Sequence, residues 1–306
     1  MPTPRFRALA AALGLALLPL AGASAEPGMD TVRVRVVPVA GGVWMLAGRG
    51  GNVGVSAGDD GVVLVDDQYA PLTDRIRAAV ATVSPRPIRF VLNTHWHPDH
   101  TGGNENLGRG GALIVAHDNV RVRLGSEQFV ERLNQRFPPS PAAALPVVTF
   151  TDAVTFHLNG DQVHAFHVPP AHTDGDAIVH WRRANVIHMG DVFFHGAYPF
   201  VDTSSGGSVR GVLAACERAL ALADEGTKVI PGHGPLSDRA GLQAYRDMLA
   251  AAVERVSAAV AAGKTLEQVK AERPLADLDA AWGRGFITPE SFLETLYREL
   301  AQDARR

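Results

Sequence analysis

The 306-residue sequence predicts an α/β fold, and three features carry that reading. Apolar runs at 61–65 and 112–116, and one ending in Phe90-Val91-Leu92 within 88–92, have the composition of buried strands. Between the first two, residues 71–84 place Ile76, Val80 and Val83 at the spacing of an amphipathic helix, which completes a β-α-β unit. Several strand-like runs also end in histidine or aspartate beside glycine or proline. Open α/β sheets gather their ligands at such carboxyl ends.

The first residues stand apart. Arg5 and Arg7 precede an apolar run from Ala8 to Leu20, and Ala23-Ser24-Ala25 has the small-x-small form of a signal-peptidase site. The run is too short to span a bilayer. Residues 1–25 therefore read as a signal peptide cut before Glu26, and the mature chain is expected to be periplasmic or secreted, without a membrane span. Arg5-Phe6-Arg7 is not a twin-arginine pair, which favours ordinary secretory export. A hydrophobic content of 46% is enough for a sizeable core. The formal net charge of -3, with no basic block, offers no electrostatic footprint for nucleic acid. Cys216 is the single cysteine and has no disulfide partner within the chain. Its neighbours Val212 to Ala215 make it a small buried residue of a helix, so any metal site must be built from nitrogen and oxygen.

After the cleavage site, 31–39, 43–46 and 52–56 are short β-branched runs separated by glycine-rich turns, as in antiparallel strands. The 61–65 strand ends at Asp66 and Asp67. These can orient a ligating histidine or serve as turn formers and helix caps, and the sequence supports both readings. Residues 112–116 read as a strand and 118–124 as a helix. A further helix is expected over 127–137, ending before Pro138-Pro139. Strands follow at 147–150, 154–158 and 162–168, with Asn159-Gly160 as a tight hairpin signal. His157, His164 and His167 fall inside these strands and read as structural or surface residues. Residues 177–181, 185–189 and 228–230 are strands again. From 237 onward, alanine- and leucine-rich stretches, including 241–262 and 289–301, read as amphipathic helices. No linker precedes them, so 237–306 are expected to pack on the 26–236 unit.

The chemistry concentrates in Asn93-Thr94-His95-Trp96-His97-Pro98-Asp99-His100-Thr101-Gly102-Gly103, which follows the 88–92 strand. No core requires that composition. In extended chain alternate side chains point the same way, so His95 and His97 can converge on one metal. Pro98 turns the chain and lets Asp99 and His100 face a neighbouring point. His172 in a stiff Pro169-Pro170 turn, Asp191 after the 185–189 strand and His233 in Pro231-Gly232-His233-Gly234 repeat the arrangement. Each alone is a weak signal; with the first loop they complete two coordination shells.

In that order the residues resemble the ligand series of the metallo-β-lactamase superfamily, over most of the chain up to about Gly234. The resemblance implies an αββα four-layer sandwich with the C-terminal helices as an addition. It also implies a dinuclear site at the edge between two sheets. His95, His97 and His172 would hold one zinc, Asp99, His100 and His233 the other, and Asp191 would bridge them. The expected protein is a secreted dinuclear zinc hydrolase, in which a metal-bound hydroxide opens a β-lactam, lactone, ester or thioester carbonyl of a small-molecule substrate. Asp99 is the expected catalytic residue, orienting the hydroxide and carrying its proton. One branch of zinc β-lactamases has cysteine at the position of Asp191 and a lysine shortly after it, whereas Phe193 and Phe194 follow here. The bridging aspartate and the 231–234 turn are more similar to glyoxalase II, lactonases and related esterases. Glyoxalase II acts on a glutathione thioester inside the cell, a setting the signal peptide argues against. His195 and Tyr198, just past Asp191, are candidates to line the pocket, and Arg210 is a candidate anion contact beside the plainer reading of a solvated loop arginine. The same donors accept iron or a mixed-metal pair, and superfamily relatives carry diiron centres. The competing expectation is therefore a periplasmic metal-binding or diiron redox accessory protein. Asp99 at an open site has no purpose in storage, which favours hydrolysis. The sequence does not set the oligomeric state.

Overall fold

The computed structural model describes residues 28–305, so the expected signal peptide, residues 1–25, lies outside the described residues. Strands β1 (Arg35–Ala40), β2 (Val43–Ala47), β3 (Val53–Gly58) and β4 (Gly61–Val65) form an antiparallel meander. Helix α1 (Thr73–Ala81) then crosses over to β5 (Ile88–Leu92), which lies parallel to β4. Short helices α2 (Pro98–Thr101) and α3 (Asn104–Arg109) lead to β6 (Leu113–His117), parallel to β5, and α4 (Asp118–Leu124) follows. A detached hairpin of β7 (Gln128–Val130) and β8 (Gln135–Phe137) precedes β9 (Val148–Phe150), which closes the first sheet in the order β1-β2-β3-β4-β5-β6-β9.

The second sheet runs in sequence order through β10 (Ala153–Leu158), β11 (Asp161–His167), β12 (Ala177–Trp181), β13 (Val186–His188), β14 (Lys228–Ile230) and β15 (Ser237–Asp238). Helix α5 (Val209–Leu222) connects β13 to its parallel neighbour β14. Helices α6 (Arg239–Ala261), α7 (Leu266–Glu272), α8 (Ala276–Trp282) and α9 (Pro289–Asp303) complete the described chain. Asn159 and Gly160 join β10 to β11 with φ of 55° and 71°, the left-handed pair a two-residue hairpin turn requires.

Strand alternation builds the layers. In β4, Val62 and Leu64 face a core shared with Ile76 and Val80 of α1 and Leu107 of α3, while Val65 faces the opposite sheet. Val163, Val179, Trp181 and Val186 meet it from the second sheet. The outer face of that sheet, with Phe166, Ile178, Ile187 and Val229, packs on α5, α6 and α9. The result is helix, sheet, sheet, helix. Buried residues of α6 fall at Leu242, Tyr245, Leu249, Ala252 and Val256, one stripe of a long helix capped by the Asp238 carboxylate on the Gly241 N–H. Helices α6 and α9 thus share one apolar core with the second sheet. Cys216 lies buried within α5. No helix among the described residues is long and apolar enough to cross a membrane.

One expected element is wrong. Residues 127–137 form not a helix but the β7–β8 hairpin, with Gln128 opposite Phe137 and Val130 opposite Gln135. Phe129, Val130, Leu133 and Phe137 fall at spacings of one, four and eight residues from the first, which suits a helical stripe, yet Val130 is buried and Phe129 and Leu133 are exposed. Asn134 closes the turn with φ of 48°, a left-handed conformation that asparagine tolerates and a helix interior excludes.

Leu64 is fully buried in the middle of the first sheet. Truncation by Leu64→Ala is expected to cost about 2–5 kcal/mol of unfolding free energy, measured by equilibrium urea denaturation. A loss below about 0.5 kcal/mol, the range of surface substitutions, would contradict this packing.

Candidate metal centre

Four chain segments deliver the site, each leaving a strand at the same edge of the sandwich. Beyond β5, the Asn93 N–H donates to Val115 O at 2.9 Å, and the Asn93 and Asn104 amides donate to each other. Thr94 donates its N–H and its hydroxyl to the two oxygens of Asp66, at 2.7 Å each. The segment bends through Thr94, His95 and Trp96, His97 itself is extended (φ -61°, ψ 146°), and Pro98 opens α2, whose turn brings Asp99 and His100 back toward the histidines. His172 lies between β11 and β12 in a turn built by Asp176. That carboxylate accepts the N–H groups of His172 and Thr173 at 2.6 and 2.9 Å and the Thr173 hydroxyl at 2.6 Å. Asp191 follows β13 and His233 follows β14. The Gly232 N–H donates to Gly190 O at 2.7 Å, and a Cβ on Gly232 would lie 2.1 Å from Asp191 Oδ1, so only glycine admits the carboxylate there.

These segments bring all seven side chains together. His95, His97 and His172 present donor atoms within 4.8 Å of one another, and so do His95, His100 and Asp191, and Asp99, His100 and His233. His97 Nδ1 is 2.8 Å from His172 Nε2, and His233 Nε2 is 3.2 Å from Asp99 Oδ2. Asp191 sits between the groups. Its Oδ1 is 3.0 Å from His100 Nε2, and its Oδ2 is 3.4, 3.6 and 3.9 Å from the Nε2 atoms of His233, His172 and His95.

Four of the histidines are held by the nitrogen that faces away from the cluster. His95 Nδ1 donates to the Thr94 hydroxyl at 3.0 Å, and His100 Nδ1 to Asp66 Oδ2 at 2.7 Å. His97 Nε2 donates to Asp202 Oδ2 at 3.0 Å, and His172 Nδ1 to Phe200 O at 2.7 Å. A proton on the outer nitrogen leaves the inner lone pair for a cation, and the hydrogen bond fixes the ring's direction. Asp66 resolves one question the sequence left open: it serves His100 directly and His95 through Thr94. Asp67 instead accepts the Gly103 N–H at 2.9 Å, and burial raises its carboxyl well above the usual range.

Charge is divided unevenly across the cluster. Burial alone would favour neutral carboxyls, but His100 and His233 outweigh it and hold Asp191 well below the usual carboxylate range and Asp99 at about 2. Burial likewise opposes charge on the two imidazoles, yet Asp191 and Asp99 raise His233 to about 10 and His100 well above its ordinary value. Burial lowers His172 to about 4 and, with the neighbouring His100, lowers His95 strongly. His95 Nε2 is buried, faces the cluster and has no hydrogen-bond partner among the described residues, its nearest carboxylate oxygen being Asp191 Oδ2 at 3.9 Å. A buried polar atom left this way calls for a partner. Nitrogen and oxygen donors without sulfur suit a divalent ion such as zinc or iron.

A cavity of about 630 Å³ opens on Asp99, Asp191 and His233. Its walls are largely apolar, with Tyr69, Phe137, Phe194, Phe200 and Phe286 among them and His195 at one side. Two expected substrate contacts lie elsewhere. Tyr198 is buried against Phe292 with its hydroxyl donating to Asp279 Oδ1 at 3.0 Å, so it belongs to the helix packing. Arg210, on the first turn of α5, lies 4.0 Å from Asp303 on the exposed surface and does not line the cavity. Sequence reasoning also passed over three positioning residues. Asp202 and Asp176 sit in loops where an aspartate ordinarily reads as a turn former. Asn52, whose amide donates to Pro231 O and Gly234 O at 2.9 Å each, follows a glycine pair that hid its role.

Two face-to-face sheets with such a cluster at their common edge define a class. The profile of the metallo-beta-lactamase superfamily matches residues 46–236, and the chain belongs to that superfamily, a family of hydrolases. Among curated relatives, acyl-coenzyme A thioesterase MBLAC2 of Bos taurus is 27% identical over 207 residues, 62% of this chain and 72% of that protein. The alpha subunit of 2,4-dinitroanisole O-demethylase of Nocardioides sp. (strain JS1661) is 27% identical over 182 residues, 58% of this chain and 50% of that protein. A solved metallo-beta-lactamase from Pontibacter korlensis shares the fold, with a TM-score of 0.58 at 20% identity over 71% of this chain and 99% of its own. Helices α6 to α9 lie beyond the matched family region.

Asp66→Asn replaces one of the two acceptor oxygens that Thr94 and His100 Nδ1 require with an N–H donor, so the hydrogen bonds that orient His100 and His95 cannot all form. It is expected to weaken divalent-metal binding by about 10–100-fold, measured by competition with a chromogenic chelator. Unchanged affinity would show that this carboxylate does not set the donor geometry.

Proposed function

We propose that this chain is a dinuclear zinc hydrolase that opens the carbonyl of a thioester, ester or lactam with an apolar acyl portion. The observation that carries the proposal is the position of Asp191 within 4 Å of four imidazoles drawn from both ligand groups, beside a cavity that ends on Asp99. His95, His97 and His172 would hold one ion and Asp99, His100 and His233 the other, with Asp191 between them. When bound, zinc supplies an acidified water as nucleophile and a Lewis acid for the carbonyl.

The chain's own residues do the remainder. Asp99, ionised at neutral pH and on the cavity wall, accepts at Oδ2 the proton of the attacking water. As the water oxygen bonds to the carbonyl carbon and the bond to the leaving sulfur, oxygen or nitrogen breaks, Asp99 returns that proton to the leaving atom. Phe137, Phe200 and Phe286 hold the acyl group and exclude bulk water. The thioesterase among the relatives supports a thioester within this range. Residues 1–25 support export, which would make the working compartment the periplasm or the medium.

Metal analysis of the purified protein is expected to find two zinc ions per chain. A chelator should abolish turnover of a chromogenic thioester, ester and lactam panel, and zinc should restore it. Asp99→Ala should lower kcat by about 10²–10⁴-fold. A zinc-loaded protein that turns over nothing in the panel, or one whose activity is indifferent to Asp99, would overturn the reading.

A further inference from the structure

The metal-facing cavity is not alone at this edge. On the other side of His233 lies a second cavity of about 610 Å³, bounded by β1, β2 and the loop from Gly48 to Asn52. His233, Gly234 and Arg49 line both cavities, so the two meet at the cluster. Their chemistry differs. The first is walled by aromatic and aliphatic side chains, and its mouth carries Phe286, 71% exposed, and Leu133, 40% exposed. The second is lined by Arg35 and Arg49 and by no aspartate or glutamate.

The loop that carries Arg49 is fixed in place. The Gly51 N–H donates to Asp99 O at 3.1 Å, Gln68 Nε2 donates to Gly51 O at 2.7 Å, and the Asn52 N–H donates to Gly232 O at 2.7 Å. Arg49 is thereby tethered through backbone to the segments that carry Asp99 and His233. Glycine also shapes the junction: a Cβ on Gly50 would lie 2.7 Å from Asp99 O, and one on Gly234 would lie 2.7 Å from His195 O. Among the described residues neither Arg35 nor Arg49 forms an ion pair with a carboxylate, so the two arginines that line the second cavity carry charge that no neighbouring acid compensates. An arginine in this state takes a phosphate or carboxylate through paired N–H donors.

We infer that the two cavities form one bipartite substrate site, in which the apolar cavity takes the acyl portion and Arg35 and Arg49 take an anionic leaving portion bearing phosphate or carboxylate. The inference rests on the hydrolase reading and names the substrate class of that site. The scissile carbonyl lies at the junction, where Asp99 and His233 face the first cavity and Arg49 borders both. Hydrolysis adds water across the acyl bond. The apolar acid is released on one side and the anionic thiol or alcohol, with the returned proton, on the other.

The test compares three octanoyl thioesters on the zinc-loaded protein: octanoyl-coenzyme A, whose thiol carries phosphates; S-octanoyl mercaptosuccinate, whose thiol carries carboxylates; and S-octanoyl-N-acetylcysteamine, which is neutral. Wild type is expected to prefer at least one anionic thioester. In the Arg35→Ala/Arg49→Ala double variant, the ratio of its kcat/KM to that of the neutral ester should fall about tenfold, equivalent to about 1.4 kcal/mol, mainly through KM. The anion whose ratio falls further identifies the group recognised. Calorimetric titration with the thioethers S-octyl-coenzyme A and S-octyl mercaptosuccinate, which the protein cannot hydrolyse, gives a readout independent of turnover. Binding of the preferred anion should weaken in high salt and in the double variant. An unchanged ratio together with unchanged thioether affinity overturns the bipartite site. If no thioester is turned over while a thioether still binds through the arginines, the hydrolase reading fails and the anion subsite stands.

Discussion

Five imidazoles and two carboxylates share one largely buried cluster, open to the cavity at Asp99 and His233, and their mutual charge governs the rest of the structure. Bringing so many ionisable groups out of water is costly unless each finds a counter-charge or a hydrogen bond, because the interior screens poorly. The fold answers with a ring of outward anchors. Asp66, Asp202 and the Phe200 carbonyl take the far nitrogen of three histidines, and the Thr94 hydroxyl takes that of a fourth. Close approach is secured by removing side chains: a Cβ on Gly51 would stand 2.0 Å from His100 Cε1. Within the cluster the carboxylates raise His100 and His233, while burial lowers His95 and His172 and favours their neutral form. A divalent ion held there would satisfy the same anions while also engaging the buried imidazole lone pairs that protons leave idle.

The two sheets are locked together where the cluster sits. The Ala177 N–H donates to Thr94 O at 2.8 Å, and His188 Nε2 donates to Asn52 O at 3.0 Å. These bonds join chain segments far apart in sequence. The parallel pairs β4–β5 and β13–β14 make this possible, because parallel neighbours deliver their carboxyl ends to one edge. The antiparallel strands supply the bulk of the sandwich and the parallel ones aim the chemistry.

Much of this was legible in the sequence where local physics decides the outcome. Ile88–Leu92, Asp118–Leu124, Ala177–Trp181 and Lys228–Ile230 have the bounds their apolar runs and flanking turns imply. The seven clustered residues stood out because histidine and aspartate beside glycine at strand ends have no packing rationale. The hairpin at 128–137 was misread because four apolar residues happen to match a helical spacing, and burial, not spacing, separates the alternatives. Asp202, Tyr198 and Arg210 were opaque for a different reason. Their partners, His97, Asp279 and Asp303, lie 105, 81 and 93 positions away, and no local pattern encodes such contacts.

The misread hairpin has an evolutionary consequence. It belongs to neither large sheet, touching the histidine-bearing 93–103 loop through Phe137, whose ring meets that of Trp96 at 5.7 Å, and a later loop through the Glu131 N–H on Ser204. A wall built on such an appendage can lengthen, shorten or change its residues without disturbing the strand ends that carry the histidines. Selectivity and metal binding are thereby separately heritable, and descendants of this architecture can exchange one ligand shape for another while the clustered histidines stay intact.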